Sequence, residues 1–178
     1  MTVTRDAEFA DYVAARLPSL RRLAMLLCQD WHRSDDLVQG AITKLYVNWP
    51  KAAAAANMDA YVRTILVREF LDDRRSSWVR RVTISDTVPD GPLAGPDREA
   101  ALDVREAMAA LPARQRATIV ARFYLDLSVE QTAALLRCTP GTVKSQTAKA
   151  LDRLRVALGP SDADGPPLAV PNSLPEAR

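Results

Sequence analysis

The chain has 178 residues, of which 24 are Lys or Arg and 22 are Asp or Glu, so its formal net charge is only +2. This near balance excludes a polycation that coats nucleic acid indiscriminately, and it excludes an acidic disordered chain. Hydrophobic residues make up 48% of the chain and it has 6 glycines, a composition that favours a packed, helical fold.

The chain lacks the sequence signatures of several functional classes. The N-terminus has no apolar stretch of the kind that a signal peptide needs. The longest strongly apolar run, residues 23–28, is far shorter than the roughly 20 residues of a membrane span. Cys28 and Cys138 are far apart, and His32 is the single histidine. We therefore predict a cytoplasmic protein that is not an enzyme and carries no metal, cofactor or membrane span.

The first predicted elements are two amphipathic helices. Apolar residues spaced by three and four predict a helix over residues 8–29, which Pro18 should kink or divide in two. A second helix is expected to begin at Ser34, a residue suited to the N-cap, and to end at Pro50.

The third predicted helix is basic on one side. Asn57 is the expected N-cap, and the helix should extend from Met58 to about Arg75. Residues 61–81 hold six arginines against three acids, a net charge of +3, and aromatic residues are frequent around them. Arginines interleaved with aromatic rings are typical of surfaces that bind single-stranded nucleic acid.

A change of composition marks the middle of the chain. Residues 82–99 are rich in Pro and Gly and have a net charge of −3, which predicts an acidic linker. Helical patterns resume beyond it, with an apolar stripe predicted over 119–127. We place domains at 6–76 and 100–158, a linker at 77–99, and a disordered tail at 159–178.

The end of the second domain is predicted to be a helix-turn-helix. Ser128 and Gln131 have the spacing of a capping box, and Thr139 followed by Pro140 predicts the start of a longer helix. Residues 137–155 hold five basic residues against one acid, a net charge of +4. The alternative is an ordinary two-helix packing unit with a solvated lysine face.

Three segments, in order, resemble bacterial sigma-70-type factors. Residues 34–39 (SDDLVQ) resemble an acidic motif of that family, and residues 61–75 are similar to its promoter-melting helix. Residues 111–116, 126–128 and 141–145 are similar to its −35-reading domain. The short two-domain layout resembles the extracytoplasmic-function (ECF) group, and within it the sigma-E-type subfamily.

The resemblance implies an all-α fold and a factor that binds core RNA polymerase, through its β′ clamp helices and β flap, and reads the −35 and −10 elements of promoter DNA. It leaves open whether an anti-sigma protein is a partner. The implied polymerase contacts are Asp36, Leu37, Val38 and Gln39. The implied −10 contacts are Asn57, Arg63, Arg68, Arg74 and Arg75. The implied −35 contacts are Thr142, Lys144, Ser145, Ala148 and Lys149.

Two positions depart from the family pattern. Gly40 stands where an acidic residue is usual, which removes a charge from the polymerase contact. Arg68 stands where Asn is common, and it would either change the −10 preference or add a phosphate contact. The runner-up interpretation is a stand-alone regulator of the response-regulator type, and a helical adaptor protein is a third. Neither accounts for two separate basic faces on a chain whose first 80 residues show no strand pattern.

Overall fold

The computed structural model describes residues 2–80 and 97–159, with side chains placed over 5–72 and 103–159. Within these ranges every regular element is a helix, as predicted. The first helical group comprises α1 (Thr2–Cys28), α2 (Trp31–Val47), α3 (Trp49–Ala53) and α4 (Met58–Arg80). The second helical group comprises α5 (Asp97–Ala110), α6 (Ala113–Ile119), a π-helical turn (Val120–Tyr124), α7 (Val129–Leu136) and α8 (Pro140–Leu158).

The predicted linker and tail lie largely outside the described residues. Both described ends of the 77–99 linker are helical, because α4 continues to Arg80 and α5 already begins at Asp97. Residues 160–178 of the predicted tail are not described.

One predicted helix start near the N-terminus was wrong, and one of two predicted effects of Pro18 is absent. Pro18 does not divide α1, which continues through it as a single helix. Helix α2 begins at Trp31 because Asp30 caps it, with its Oδ1 accepting a hydrogen bond from the backbone N–H of Arg33 at 2.7 Å. Asp is as good an N-cap as Ser, and it occurs four residues earlier. Ser34 is instead buried inside α2, where its hydroxyl donates to the carbonyl of Asp30.

Pro50 also has a different role from the predicted one. Helix α2 ends at Val47, and Pro50 lies in the first turn of the short helix α3. Proline is well tolerated there because the first turn leaves its backbone N–H groups without intrahelical partners.

The three local caps predicted in the rest of the chain are confirmed. Asn57 Oδ1 accepts from the N–H of Ala60 at 2.9 Å at the start of α4. Ser128 and Gln131 form both bonds of the capping box before α7. Thr139 Oγ1 accepts from the N–H of Thr142 at 3.1 Å before α8.

The apolar stripe predicted over residues 119–127 is not buried at its centre, so this prediction was wrong there. Ile119 and Val120 are buried, but Phe123 is 61% exposed and Tyr124 is 47% exposed. The π-helical turn causes this change, because its i→i+5 hydrogen bonds rotate the side chains relative to an α-helix.

One connected hydrophobic core extends across both helical groups. In the first group, α1 packs on α2, and α4 packs against both of them. In the second group, α8 packs on α5, α6 and α7. The core joins the groups where α4 meets α6 and α7 and where α1 meets α6. Its members from the two groups include Leu23, Leu27, Leu45, Leu66, Leu111, Ile119, Leu135 and Ala150.

Candidate nucleic-acid and polymerase interfaces

Helices α7 and α8 form the predicted helix-turn-helix, joined by a turn over residues 137–139. Arg137 takes the left-handed conformation that ends α7, with φ of 52°. Val143 and Ala150 of α8 are buried against the core. Four of the five predicted −35 residues are exposed together on the opposite side of α8: Lys144, Ser145, Ala148 and Lys149.

Thr142, the fifth predicted −35 residue, is half-buried and has a local structural role. Its backbone N–H donates to Thr139, and the two threonine hydroxyls lie 2.8 Å apart. Thr142 therefore positions the first turn of α8, and the polar face proper begins at Lys144.

An acidic residue of α7 lies near this face. The pKa of Glu130 is lowered, first by a hydrogen bond from its own backbone N–H and then by one from the Ser128 hydroxyl at 3.0 Å. The charge of Lys144 lowers this pKa further, so the two side chains are within electrostatic reach of each other. Substitution of Lys144 would therefore also affect Glu130. Lys149 lies further along α8 and is the better residue for testing whether this face binds DNA.

The predicted −10 residues of α4 do not form a single open face. Asn57 and Arg63 are exposed. Arg68 is half-buried, and its guanidinium donates to the backbone carbonyls of Ala134 and Leu135 in α7, both at 3.2 Å. The side chains of the remaining two predicted residues, Arg74 and Arg75, lie outside the described ones.

The predicted polymerase contact separates into exposed and buried side chains. Asp36 and Gln39 are exposed on α2, whereas Leu37 and Val38 are buried in the core. Leu37 and Val38 therefore anchor α2, and only Asp36 and Gln39 present their side chains to a partner. The helical period of 3.6 residues separates the two pairs in this way.

Gly40, which follows this motif, lies against a carboxylate from α4. A Cβ at Gly40 would be 3.5 Å from Glu69 Oε1, which is ordinary van der Waals contact. Glu69 also forms an ion pair with Lys44 of α2. A carboxylate from a different helix is thus present beside Gly40, but Lys44 compensates its charge.

Sequence reasoning missed a buried arginine. Arg116 of α6 is only 3% exposed, and it donates to the carbonyl of Leu27 in α1 at 2.9 Å. It also donates to the carbonyls of Ala109 and Leu111, both at 3.1 Å. Its position three residues before the buried Ile119 was the signal that could have placed it on the inner face of α6.

A second polar contact fixes α1 against α4. The hydroxyl of Tyr12 donates to Asp59 Oδ1 at 2.8 Å, and Arg16 pairs with the same carboxylate at 2.9 Å. Burial and the Asp59 hydrogen bond raise the pKa of Tyr12 to about 12. Asp59 lies two residues after Asn57, so this contact orients the beginning of α4.

Neither a membrane span nor a metal site is present in the described part of the chain. Over residues 2–80 and 97–159, no helix is long and apolar enough to cross a bilayer. The same residues contain no group of three or more His, Cys, Asp or Glu side chains arranged to hold a metal ion.

Comparison with known proteins identifies both helical groups. Residues 12–80 match the family model for sigma-70 region 2, and residues 101–154 match that for sigma-70 region 4. The two matches define a promoter-recognising initiation factor of two regions, since region 2 covers the first helical group and region 4 the second. The chain belongs to the sigma-70 family of RNA polymerase sigma factors, within its ECF group.

Curated relatives support this assignment over nearly the whole chain. The RNA polymerase sigma-E factor of Streptomyces avermitilis is 32% identical over 166 residues, covering 88% of each protein. The sigma-E factor of Streptomyces coelicolor is also 32% identical, covering 88% of this chain and 89% of that protein. The ECF sigma factor EcfG of Rhodopseudomonas palustris is 33% identical over 156 residues.

Solved structures share the fold. The sigma factor RpoE of Bartonella quintana, solved with the anti-sigma factor NepR, is 28% identical with a TM-score of 0.68, covering 85% of this chain and 96% of that one. CnrH, solved with the cytosolic domain of CnrY, has a TM-score of 0.59 at 18% identity, which supports the fold alone. The response-regulator alternative is not favoured, because the first helical group matches sigma-70 region 2.

Proposed function

We propose that residues 6–76 bind core polymerase and the −10 element, while residues 100–158 bind the −35 element. The observation that carries the proposal is the exposed polar face of α8, with Lys144, Ser145, Ala148 and Lys149 presented together. A second helix of a helix-turn-helix enters the major groove, where lysine and hydroxyl groups can contact bases and phosphates. The small Ala148 side chain lets the helix backbone approach the bases closely.

The −10 element is proposed to bind along α4 as an unpaired strand. Asn57 and Arg63 are exposed along the first two turns, and further arginines follow towards the end of the helix. Bases that leave the duplex cost a few kcal/mol of stacking and pairing, which contacts with the protein must offset. Guanidinium groups supply such contacts because they hold phosphates and stack on bases.

Core polymerase is proposed to bind the exposed polar face of α2. Asp36 and Gln39 present a carboxylate and an amide there, while the carboxylate of Glu69 beside Gly40 is paired with Lys44. The β′ clamp helices are the proposed partner of this face, and the β flap is the proposed partner of the second helical group. The role requires no chemistry by the chain itself, and it places the chain with polymerase in the cytoplasm.

An anti-sigma protein is a further proposed partner. The sigma factor RpoE of Bartonella quintana was solved with one, and its fold covers 85% of this chain. Binding assays against candidate anti-sigma proteins would test for such a partner.

Run-off transcription with purified core polymerase tests the proposed function. Core polymerase alone should give no run-off transcript from a promoter selected from a random pool. Core polymerase with this chain should initiate transcription at a fixed start site on the same template. Duplex binding by the free chain together with failure to co-purify with core would overturn the proposal in favour of the stand-alone regulator.

Replacing Lys149 with alanine should weaken −35 binding by the holoenzyme. If Lys149 contacts a base, the binding free energy should weaken by about 1–3 kcal/mol. If it contacts a phosphate, the slope of log affinity against log salt concentration should fall by about one. Promoter affinity measured over a range of salt concentrations distinguishes the two contacts. Lys51→Ala, an equivalent change at an exposed lysine of α3, is the control. Unchanged affinity and salt dependence would exclude Lys149 from the interface.

A further inference from the structure

A short loop over residues 54–57 joins α3 to α4, and it carries Asn57, a proposed −10 contact. Ala54, Ala56 and Asn57 are exposed, so a partner can reach the loop from solvent. Asn57 caps α4 through its side-chain oxygen, which accepts from the N–H of Ala60. The amide nitrogen of the same side chain is therefore the group that can donate to a base.

Tyr12 of α1 contacts both ends of this loop. Its ring lies beside that of Trp49 in α3, with the two centroids 5.7 Å apart, and Trp49 is itself buried in the core. Its hydroxyl donates to Asp59 Oδ1 in α4 at 2.8 Å. Arg16, one turn further along α1, pairs with the other carboxylate oxygen of Asp59 at 2.9 Å. Helix α1 thus holds the residues on either side of the loop.

These contacts fix the place of Asn57 because Asp59 and Asn57 belong to the same end of α4. Asp59 lies in the first turn, and the cap ties the Asn57 side chain to that turn. Burial and the Asp59 hydrogen bond raise the pKa of Tyr12 to about 12, so its hydroxyl keeps its proton and remains a donor at neutral pH. A recognition group acts well only when its supporting contacts hold it within about 0.5 Å of the required position.

We infer that Tyr12 is a positioning residue for −10 recognition, which acts through Asp59, with support from Arg16, to set where Asn57 meets the unpaired strand. The inference rests on the proposed binding of the −10 element along α4. It extends the machinery of −10 recognition to α1, to which the proposed function gives no part in DNA binding. The capped Asn57 donates to an acceptor on one base, and it does not form the bidentate pair with adenine, which needs the amide oxygen as well.

Initiation by the reconstituted holoenzyme on a set of promoter variants tests this inference. Each base of the −10 and −35 elements is replaced in turn, and the ratio of initiation rates on the selected and replaced bases gives the discrimination at that position. Asn57→Ser identifies the position that Asn57 contacts, because serine still caps α4 but has no amide. Tyr12→Phe keeps the ring beside Trp49 and removes only the hydroxyl. It should lower discrimination at the same −10 position by about three- to tenfold, the value of one hydrogen bond, without changing discrimination at −35.

A double variant distinguishes positioning from a general effect on the fold. Tyr12→Phe/Asn57→Ser should discriminate at this position as well as Asn57→Ser alone does, because both changes act on one contact. If Tyr12 only stabilised the fold, the two losses would add. The matched control is Tyr46→Phe, which removes a hydroxyl that donates to Asp6 at 3.1 Å between α2 and α1. It should leave discrimination unchanged at every position.

Arg16→Gln is a second, milder test of the same contacts. It removes the ion pair with Asp59 and should lower discrimination at the position that Asn57 contacts by less than Tyr12→Phe does, because the pair is partly exposed to solvent. This variant also serves if Tyr12→Phe loses its helical circular dichroism.

The outcomes separate this inference from the proposed function. Full discrimination in Tyr12→Phe would overturn the inference, as would an equal loss at −10 and −35 positions. If Asn57→Ser alone alters −10 discrimination, the inference is wrong and the proposed −10 binding stands. If Asn57→Ser has no effect at any position, Asn57 does not read the −10 element and the inference fails with it. A parent holoenzyme that shows no −10 discrimination would overturn the proposed function itself.

Discussion

Replacing Asp36 with arginine should reduce the affinity of this sigma factor for core polymerase by at least two orders of magnitude. Asp36 is exposed on α2, between core residues that fix the helix, so the substitution changes the surface charge without disturbing the packing. If α2 meets a basic surface, reversing one charge there costs several kcal/mol, because like charges are brought together. A titration of labelled protein with core polymerase measures the change.

The control for this prediction is a charge reversal elsewhere on the first helical group. Asp11→Arg makes the same substitution at an exposed position of α1, outside the proposed contact on α2, and it should leave the affinity within a factor of about three, because salt screens surface charges away from the contact. The variant and the control should have the same thermal midpoint. Unchanged affinity in Asp36→Arg would remove this residue from the polymerase contact.

Three of the four helix caps predicted from local signals were correct, and Ser34 was the exception because Asp30 caps α2 instead. Asn57, Ser128 and Thr139 cap their helices through side chains that reach only three residues along the chain. The choice at each site is made by neighbouring residues, so no knowledge of the fold is required. The same reasoning placed the polar residues of α8 on its exposed side, since Val143 and Ala150 fix the buried side.

Features that depend on distant parts of the chain could not be predicted in this way. Arg68 was expected to contact −10 DNA, but its hydrogen-bond partners lie in α7, 66 and 67 residues away along the chain. Phe123 and Tyr124 became exposed because one π-helical turn altered the period on which the prediction relied. The hydrophobic period predicts which side of a helix is buried. Which other helix packs against that side depends on the tertiary structure, which the period does not contain.

Arg116 shows how much a missed residue can contribute to stability. Replacing it with methionine, which is apolar and of similar length, should lower the free energy of unfolding by about 2–4 kcal/mol. The carbonyls of Leu27, Ala109 and Leu111 would lose a donor. The bonds to Leu27 and Leu111 are buried, and each unsatisfied buried acceptor costs about 1–3 kcal/mol, whereas the carbonyl of the exposed Ala109 can bond water. Removing a buried cation recovers part of this cost, because its desolvation is no longer required.

Urea unfolding, followed by circular dichroism, measures the loss. Arg114→Met is the matched control, since Arg114 is exposed on the same helix and its replacement should change stability by less than about 0.5 kcal/mol. Arg116→Lys should recover only part of the loss, because an ammonium group lacks the planar fork that serves several carbonyls. If Arg116→Met is as stable as the control, the three carbonyls find other donors and Arg116 does not hold α1 to α6. A large loss in Arg116→Met with full recovery in Arg116→Lys would instead show that the positive charge near the helix ends matters more than the geometry of the fork.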